Sequence, residues 1–267
     1  MVNLSTTQLP FWKSILIQLK SRNKILFYVT LFNLLGAATC LILVFATNLE
    51  VRGVNAFVKP FKFFISISIT AFTMAWIMVY LRNQKAVRSY SWMLLITMFI
   101  EVVIISGQAG LGHISHFATE PLPDMILFQV MGLAITVFTI WTGWICYYFF
   151  RQKEWPIWMR PGYIWGIRLG LLFFVFFAFE GFHMVAINQH TIGAADGLQG
   201  FPVTNWSRAH GDLRIPHFLG LHSLQLLPLA GYFFFPKKST MIIVAITWFA
   251  FIALLYWQAI KGFPIIP

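Results

Sequence analysis

Charge is what this chain lacks. Only 10% of its residues are charged, and eight acidic residues stand against 19 lysines and arginines. A soluble domain carries about a quarter charged residues, so a water-soluble globule is excluded. No stretch is long and polar enough to form a separate soluble domain. Cysteine is nearly absent as well. Cys40 and Cys146 fall in apolar runs at different depths, which excludes a disulfide framework and CxxC redox chemistry. No CxxCH occurs, so any haem would be held without covalent attachment. The last apolar run has no lysine in its middle, which argues against a retinal-type Schiff base there.

What is present is apolar bulk. Hydrophobic residues make up 59% of the chain and the mean hydropathy is +0.75. A membrane span needs about 20 apolar residues. Seven runs qualify: 24–46, 62–81, 90–110, 124–150, 163–187, 213–235 and 240–262. The fold class expected is therefore all-α, a polytopic bundle of seven transmembrane helices. Residues 1–23 read as a basic leader whose stretch 11–20, "FWKSILIQLK", puts Phe11, Ile15 and Leu19 on one face of an interfacial helix. An ordinary basic leader fits these residues too. The run that follows is long enough to span and no A-x-A-like site comes after it, so a cleaved signal peptide is not expected. Residues 24–267 form the transmembrane domain, with one long loop at 188–211.

The formal net charge of +11 would suggest nucleic acid in a soluble chain. In a membrane protein it reflects the basic cytoplasmic loops. Twelve basic residues, in 13–24, 82–88, 151–160 and 237–238, share one side, and six lie on the other. This predicts a cytoplasmic N-terminus, an outer C-terminus and a multi-pass protein of the cell membrane, the bacterial inner membrane. The bilayer is then the main partner and nucleic acid is not one.

On this topology all seven histidines lie on the outer side. Ionisable groups within spans cost roughly 2.5–3.5 kcal/mol on insertion scales, so they normally face the bundle interior and pair. Several share helix faces. Glu180 and His183 are i, i+3, and Glu101 and Gln108 are i, i+7. Lys62, Ser66 and Thr70 form a stripe. His222 shares a face with Gln225, and Arg214 with His217; Gln258 adds an amide. The arrangement expected is a polar cavity in the outer half of the bundle, covered by loop 188–211. Asp212 stands where a helix N-cap would be.

Individual motifs carry limited chemistry. "EGFH" (180–183) resembles one Glu-x-x-His unit of di-iron bundles, which need two. A structural Glu–His hydrogen bond accounts for it equally. "HFLGLH" (217–222) places two histidines roughly 140° apart around a helix, unlike the i, i+4 spacing of HExxH zinc sites. "GHISHF" (112–117) lies in a loop. Lys62 either snorkels to the interface or serves as counter-ion to Glu101 or Glu180. "NWS" (205–207) matches a glycosylation sequon, and G-x-x-x-G-like spacings hint at helix packing.

The run "GDLRIPHFLGLHSLQLLPL" (211–229), together with "GHISHF", resembles a group of bacterial multi-pass membrane proteins with a GDLR-x-x-HF-x-GLH-x-LQ pattern. Many of them have SHFN where this chain has SHFA (115–118). The resemblance covers roughly residues 100–262. It implies a shared architecture and no activity. The seven-span topology is also similar to membrane hydrolases of the ceramidase and adiponectin-receptor type, which bind zinc through three histidines. Their C-terminal HxxxH pair is absent.

Three functions follow from the residues. A metal-dependent membrane protein would use His183, His217 and His222 as ligands to zinc or iron, with Glu101 or Glu180 as general base. Arg214, Gln225 and Lys62 would contact a lipid-like substrate or cofactor. Alternatively, b-type haem would bind between His183 and His217 or His222, or a quinone would occupy the cavity. A transporter or proton relay is the third reading.

Overall fold

The computed structural model describes residues 10–118, 120–198 and 200–266. The first part of the predicted leader, residues 1–9, lies outside the described residues. Nine helices and four two-residue strands make up the described chain. Helix α1 (Phe11–Arg22) precedes α2 (Lys24–Ala46). In α1 Leu19 is buried and Phe11 is exposed. Asn23 separates the two helices; its side chain accepts from Leu26 N at 3.0 Å and donates to Ser91 Oγ at 2.7 Å. A hairpin follows, β1 (Glu50–Val51) and β2 (Val54–Asn55), with Arg52 and Gly53 at φ 51° and 70° as a tight two-residue turn requires.

Helices α3 (Val58–Met78), α4 (Gln84–Gly110), α5 (Leu122–Arg151), α6 (Pro161–Ala186) and α9 (Lys238–Ile260) complete the long elements. With α2 they make six helices long and apolar enough to cross a membrane. Leu35, Ile42, Leu133 and Ile243 are among many large apolar side chains facing outward, a surface suited to lipid and not to water. The chain is built as an integral, multi-pass membrane protein.

The predicted span 213–235 is not one helix. It consists of α7 (Arg214–Leu221) and α8 (Ser223–Phe233), interrupted at His222. Pro228 has no N–H to give the turn below, and Gln225 N bonds to His222 O in a tighter i→i+3 pattern. Before α7, β3 (Thr191–Ile192) pairs with β4 (Gly211–Asp212) and closes the base of the long loop. Helix α3 begins four residues earlier than expected. Pro60 reads as a breaker, yet it sits in the first turn, where the missing N–H costs nothing. Helix α4 also starts early, at Gln84, capped by the Asn83 side chain on Ala86 N.

Packing rests on two devices. Gly162, Gly166 and Gly170 lie along one face of α6 and bring its backbone against α8. A Cβ on Gly170 would stand 2.7 Å from Ser223 O. Several buried hydroxyls are satisfied within their own helices, as Thr30 bonds to Leu26 O and Thr142 to Phe138 O.

Candidate functional site

One end of the bundle carries the long loop, and the opposite end carries most of the basic residues. Toward the loop end, α3 to α8 surround a cavity of about 850 Å³. Of the residues singled out from the sequence, Lys62, Glu101, Arg214, His217, His222 and Gln225 all line it. The stripe of Lys62, Ser66 and Thr70 is one wall. The roof comes from the β1–β2 hairpin, the 113–117 loop and residues His190, Leu198, Asn205 and Trp206 of the long loop. Four helices thus bring the polar groups of distant sequence segments to one space.

The roof is fastened by charge. Asp212 is 2% exposed, and its carboxylate accepts from Ser207 N, Arg214 N, Arg214 Nε and Arg214 Nη2. Arg214 Nη2 also donates to Asn205 O at 2.6 Å. Lys62 Nζ donates to Thr204 O at 3.2 Å. The lead of the GDLR motif is therefore a clasp, in which Gly211 lets the chain pass close to Ala259 of α9. Asp212 caps the first turn of α7 through Arg214 N while serving the loop as well.

The remaining motif residues tie helices together. His222 Nδ1 and Gln225 Oε1 lie 3.1 Å apart, and Gln225 Nε2 donates to Thr73 Oγ1 of α3. Trp248 Nε1 of α9 donates to Ser223 Oγ at 2.9 Å. His217 Nδ1 stands 3.0 Å from Glu180 Oε2. Glu180 does not line the cavity; it sits behind His217, and its other oxygen is buried without a partner among the described residues.

Glu180 therefore meets His217 on α7, and not its sequence neighbour His183. His183 lies outside the cavity lining and pairs with Tyr256 of α9, Nδ1 to Oη 2.8 Å. The three imidazoles predicted as metal ligands each take a different partner: Tyr256, Glu180 and Gln225. Among the described residues no group of three or more His, Cys, Asp or Glu is placed to hold a metal ion. The trio does not fit a zinc or iron site. Gln258 also falls outside this cavity and donates to Pro264 O. Gln108 holds the 111–117 loop through Ile114 O.

Three lining residues escaped the sequence reading. Lys59 looked like a loop residue because "KP" hides the start of α3. His116 was an exposed loop histidine on paper, but its ring packs against Phe63 and Phe128. Burial, and then the charge of Lys59, hold this imidazole well below its ordinary range. His190 looked like a peripheral loop residue, but it is a roof residue. Burial and the Arg214 charge push it down to about 4, against the opposing carboxylates of Asp196 and Asp212. Both rings are neutral near pH 7.

The lowered His190 value makes the fold sensitive to acid. The unfolded chain protonates His190 near 6.5, above the folded value, so it binds more protons in between. Folding stability contributed by neutral His190 is complete above about 6.5 and is lost as pH falls toward 4. His190→Gln is expected to flatten the fall in melting temperature over that window, where a single proton is worth at most about 1.4 kcal/mol for each pH step of one. Superimposable pH profiles of the two proteins would refute this.

Below the polar end the lining turns apolar. Ile67, Leu94, Met98, Phe138 and Phe174 floor the cavity near the middle of the bundle. Beyond them lies the packed core of Met74, Met78, Tyr90, Ile145 and Phe149. Arg168, a basic residue within α6, donates to Phe149 O and Gln152 O at the end of α5. Leu133 and Ile135 of α5 and Phe182 and Val185 of α6 line the cavity and are also exposed on the outside of the bundle. No family model, curated protein or solved structure matches this chain.

Proposed function

We propose that the chain binds a lipid-like amphiphile that enters sideways from the membrane between α5 and α6. Its polar head lies under the roof, among Lys59, Lys62, Glu101 and His222. Its apolar part rests on the floor and along the α5–α6 opening. The observation that carries this reading is the cavity's division into a charged, roofed end and an apolar end whose α5 and α6 lining is exposed on the outside of the bundle. Ligand sites are concave and mostly apolar with a few convergent polar groups, and this cavity has that composition. Its loop-end position is the outer leaflet under the proposed N-inside topology.

The reading needs no zinc, iron or haem b, since His183, His217 and His222 each already take a different partner, Tyr256, Glu180 and Gln225. It also explains the apolar floor, which a proton or substrate path across the membrane would have to breach. Whether the bound molecule is an isoprenoid, a quinone or a fatty chain is a matter of its head group.

The test is photolabelling in bilayer nanodiscs with a diazirine-bearing fatty alcohol. Label is expected on floor and window residues such as Met131 and Phe174, which are buried from the outer surface. Thr139→Trp, which fills the floor, is expected to remove most of that label. Labelling confined to outward residues such as Ile243 and Ile246 would overturn the proposal.

A further inference from the structure

Two groups that line the cavity, an amine and a carboxyl, have no partner among the described residues. Lys59 is the second residue of α3 and lines the polar end. Its neighbour Lys62 has Thr204 O as acceptor, whereas Lys59 has no hydrogen bond or ion pair among the described residues. Glu101 of α4 lines the same space, is 4% exposed and likewise lacks a partner among the described residues. The two form no ion pair with each other among the described residues. A polar group withdrawn from water and left unpaired is costly, so a fold that turns an unpaired amine and an unpaired carboxyl toward one cavity calls for a ligand between them.

The setting of Lys59 is that of an activated amine. It lines a roofed cavity, it stands one turn from a second cation, and it lies at the positive end of the α3 dipole. The wall beside it is aromatic, with Phe63, Phe117 and Phe128 packed around the neutral ring of His116. This wall suits an extended apolar chain and keeps bulk water from the amine.

We propose that Lys59 is a nucleophilic lysine that captures a membrane-borne carbonyl compound, a long-chain aldehyde or apolar ketone, as an imine, with Glu101 as its carboxylate partner. The inference rests on the amphiphile reading above and specifies its head group. The amine nitrogen adds to the carbonyl carbon and the C=O π bond opens onto oxygen. Glu101 relays protons from nitrogen to that oxygen, which leaves as water with the two amine hydrogens. A C=N bond replaces the C=O bond and no electron is gained or lost. If the imine takes up a proton, Glu101 is the counter-charge in reach. The last span has no central lysine for this chemistry; α3 supplies one from a different helix.

The experiment uses the full-length protein in nanodiscs, decanal as probe, borohydride to trap the imine, and peptide mapping by mass spectrometry. One reduced decyl adduct is expected, on Lys59, at substoichiometric decanal. Lys59→Arg is expected to abolish it and Lys62→Arg to keep it. Glu101→Gln is expected to slow its formation on the order of 10²-fold, the contribution of a positioned proton carrier. Propanal, too short to use the apolar wall, is expected to label exposed lysines without preference. Decanal spread over surface lysines by exposure, or an adduct that survives Lys59→Arg, would overturn the inference. The wild-type peptide map decides even if a variant fails to fold. Photolabel in the cavity without a Lys59 adduct would sink the imine and leave the amphiphile reading standing. Absence of both would sink both.

Discussion

Gly166→Leu is expected to leave little folded protein. Gly162, Gly166 and Gly170 recur every fourth residue, so they form one stripe along α6. The stripe lies against backbone, not against side chains that could turn aside. A Cβ at Gly166 would meet the Leu227 carbonyl and the Pro228 Cα, the latter at 3.0 Å. Gly231 of α8 reciprocates by packing on Gly162. Within lipid, association gains nothing from excluding water, so close packing decides whether two helices stay together. Overpacking a core costs about 1–3 kcal/mol, and with backbone in the way the upper end or more is expected. Gly107 is the control, because nothing stands within 4 Å of its Cβ position. Gly107→Leu is expected to express and melt as the native chain does. The readouts are the monodisperse yield in detergent and the melting temperature. A Gly166→Leu protein that melts with the native chain would remove the stripe from the account.

The second large effect belongs to the clasp. Arg214→Leu strands the Asp212 carboxylate, whose side chain is fully buried. Breaking a buried pair from one side costs about 3–5 kcal/mol, because the remaining charge has no water and no counter-charge, and here keeps only the backbone donors Ser207 N and Arg214 N. Asp212→Leu is expected to cost less, since Arg214 retains Asn205 O and partial solvent exposure. Replacing both residues by leucine is expected to recover part of the loss, and the double-mutant cycle measures the coupling. The damage should be local. Residues 200–207 lose their tie to α7 and should exchange backbone hydrogens faster, while the α6–α8 contact stays protected. Equal protection of the loop in Arg214→Leu and native protein would show that the clasp does not hold the roof.

The sequence revealed much of this site, because much of it is local. A run of apolar residues is helical in a bilayer whatever its neighbours are, since its backbone must satisfy itself. Six of the seven runs therefore appear as long helices, and the seventh, 213–235, as two short ones. The helical period put Lys62, Ser66 and Thr70 on one face, and the cost of burying charge in lipid required the polar faces to turn inward. Lys62, Glu101, His217, His222 and Gln225 do share a cavity. The early start of α3 was missed because Pro60 sits in the first turn, where a proline does no harm, and the break at His222 falls six residues before Pro228, beyond the turn that a proline disturbs.

Partnership is another matter. Glu180 and His183 are one turn apart, yet each bonds to a different helix, Glu180 to His217 and His183 to Tyr256. One residue of helix rotation is roughly 100°, enough to turn a side chain from a cavity to a neighbouring helix. Rotation is set by packing, here by the glycine stripe of α6 on α8 and the Trp248–Ser223 bond from α9. The sequence alone determined that this chain is a bundle of apolar helices with its histidines gathered toward one end and most of its lysines and arginines toward the other. Only the tertiary structure decided that His183 is outside the cavity and that Lys59 and Glu101 face the same space, because depth and rotation belong to pairs of helices and not to any one of them.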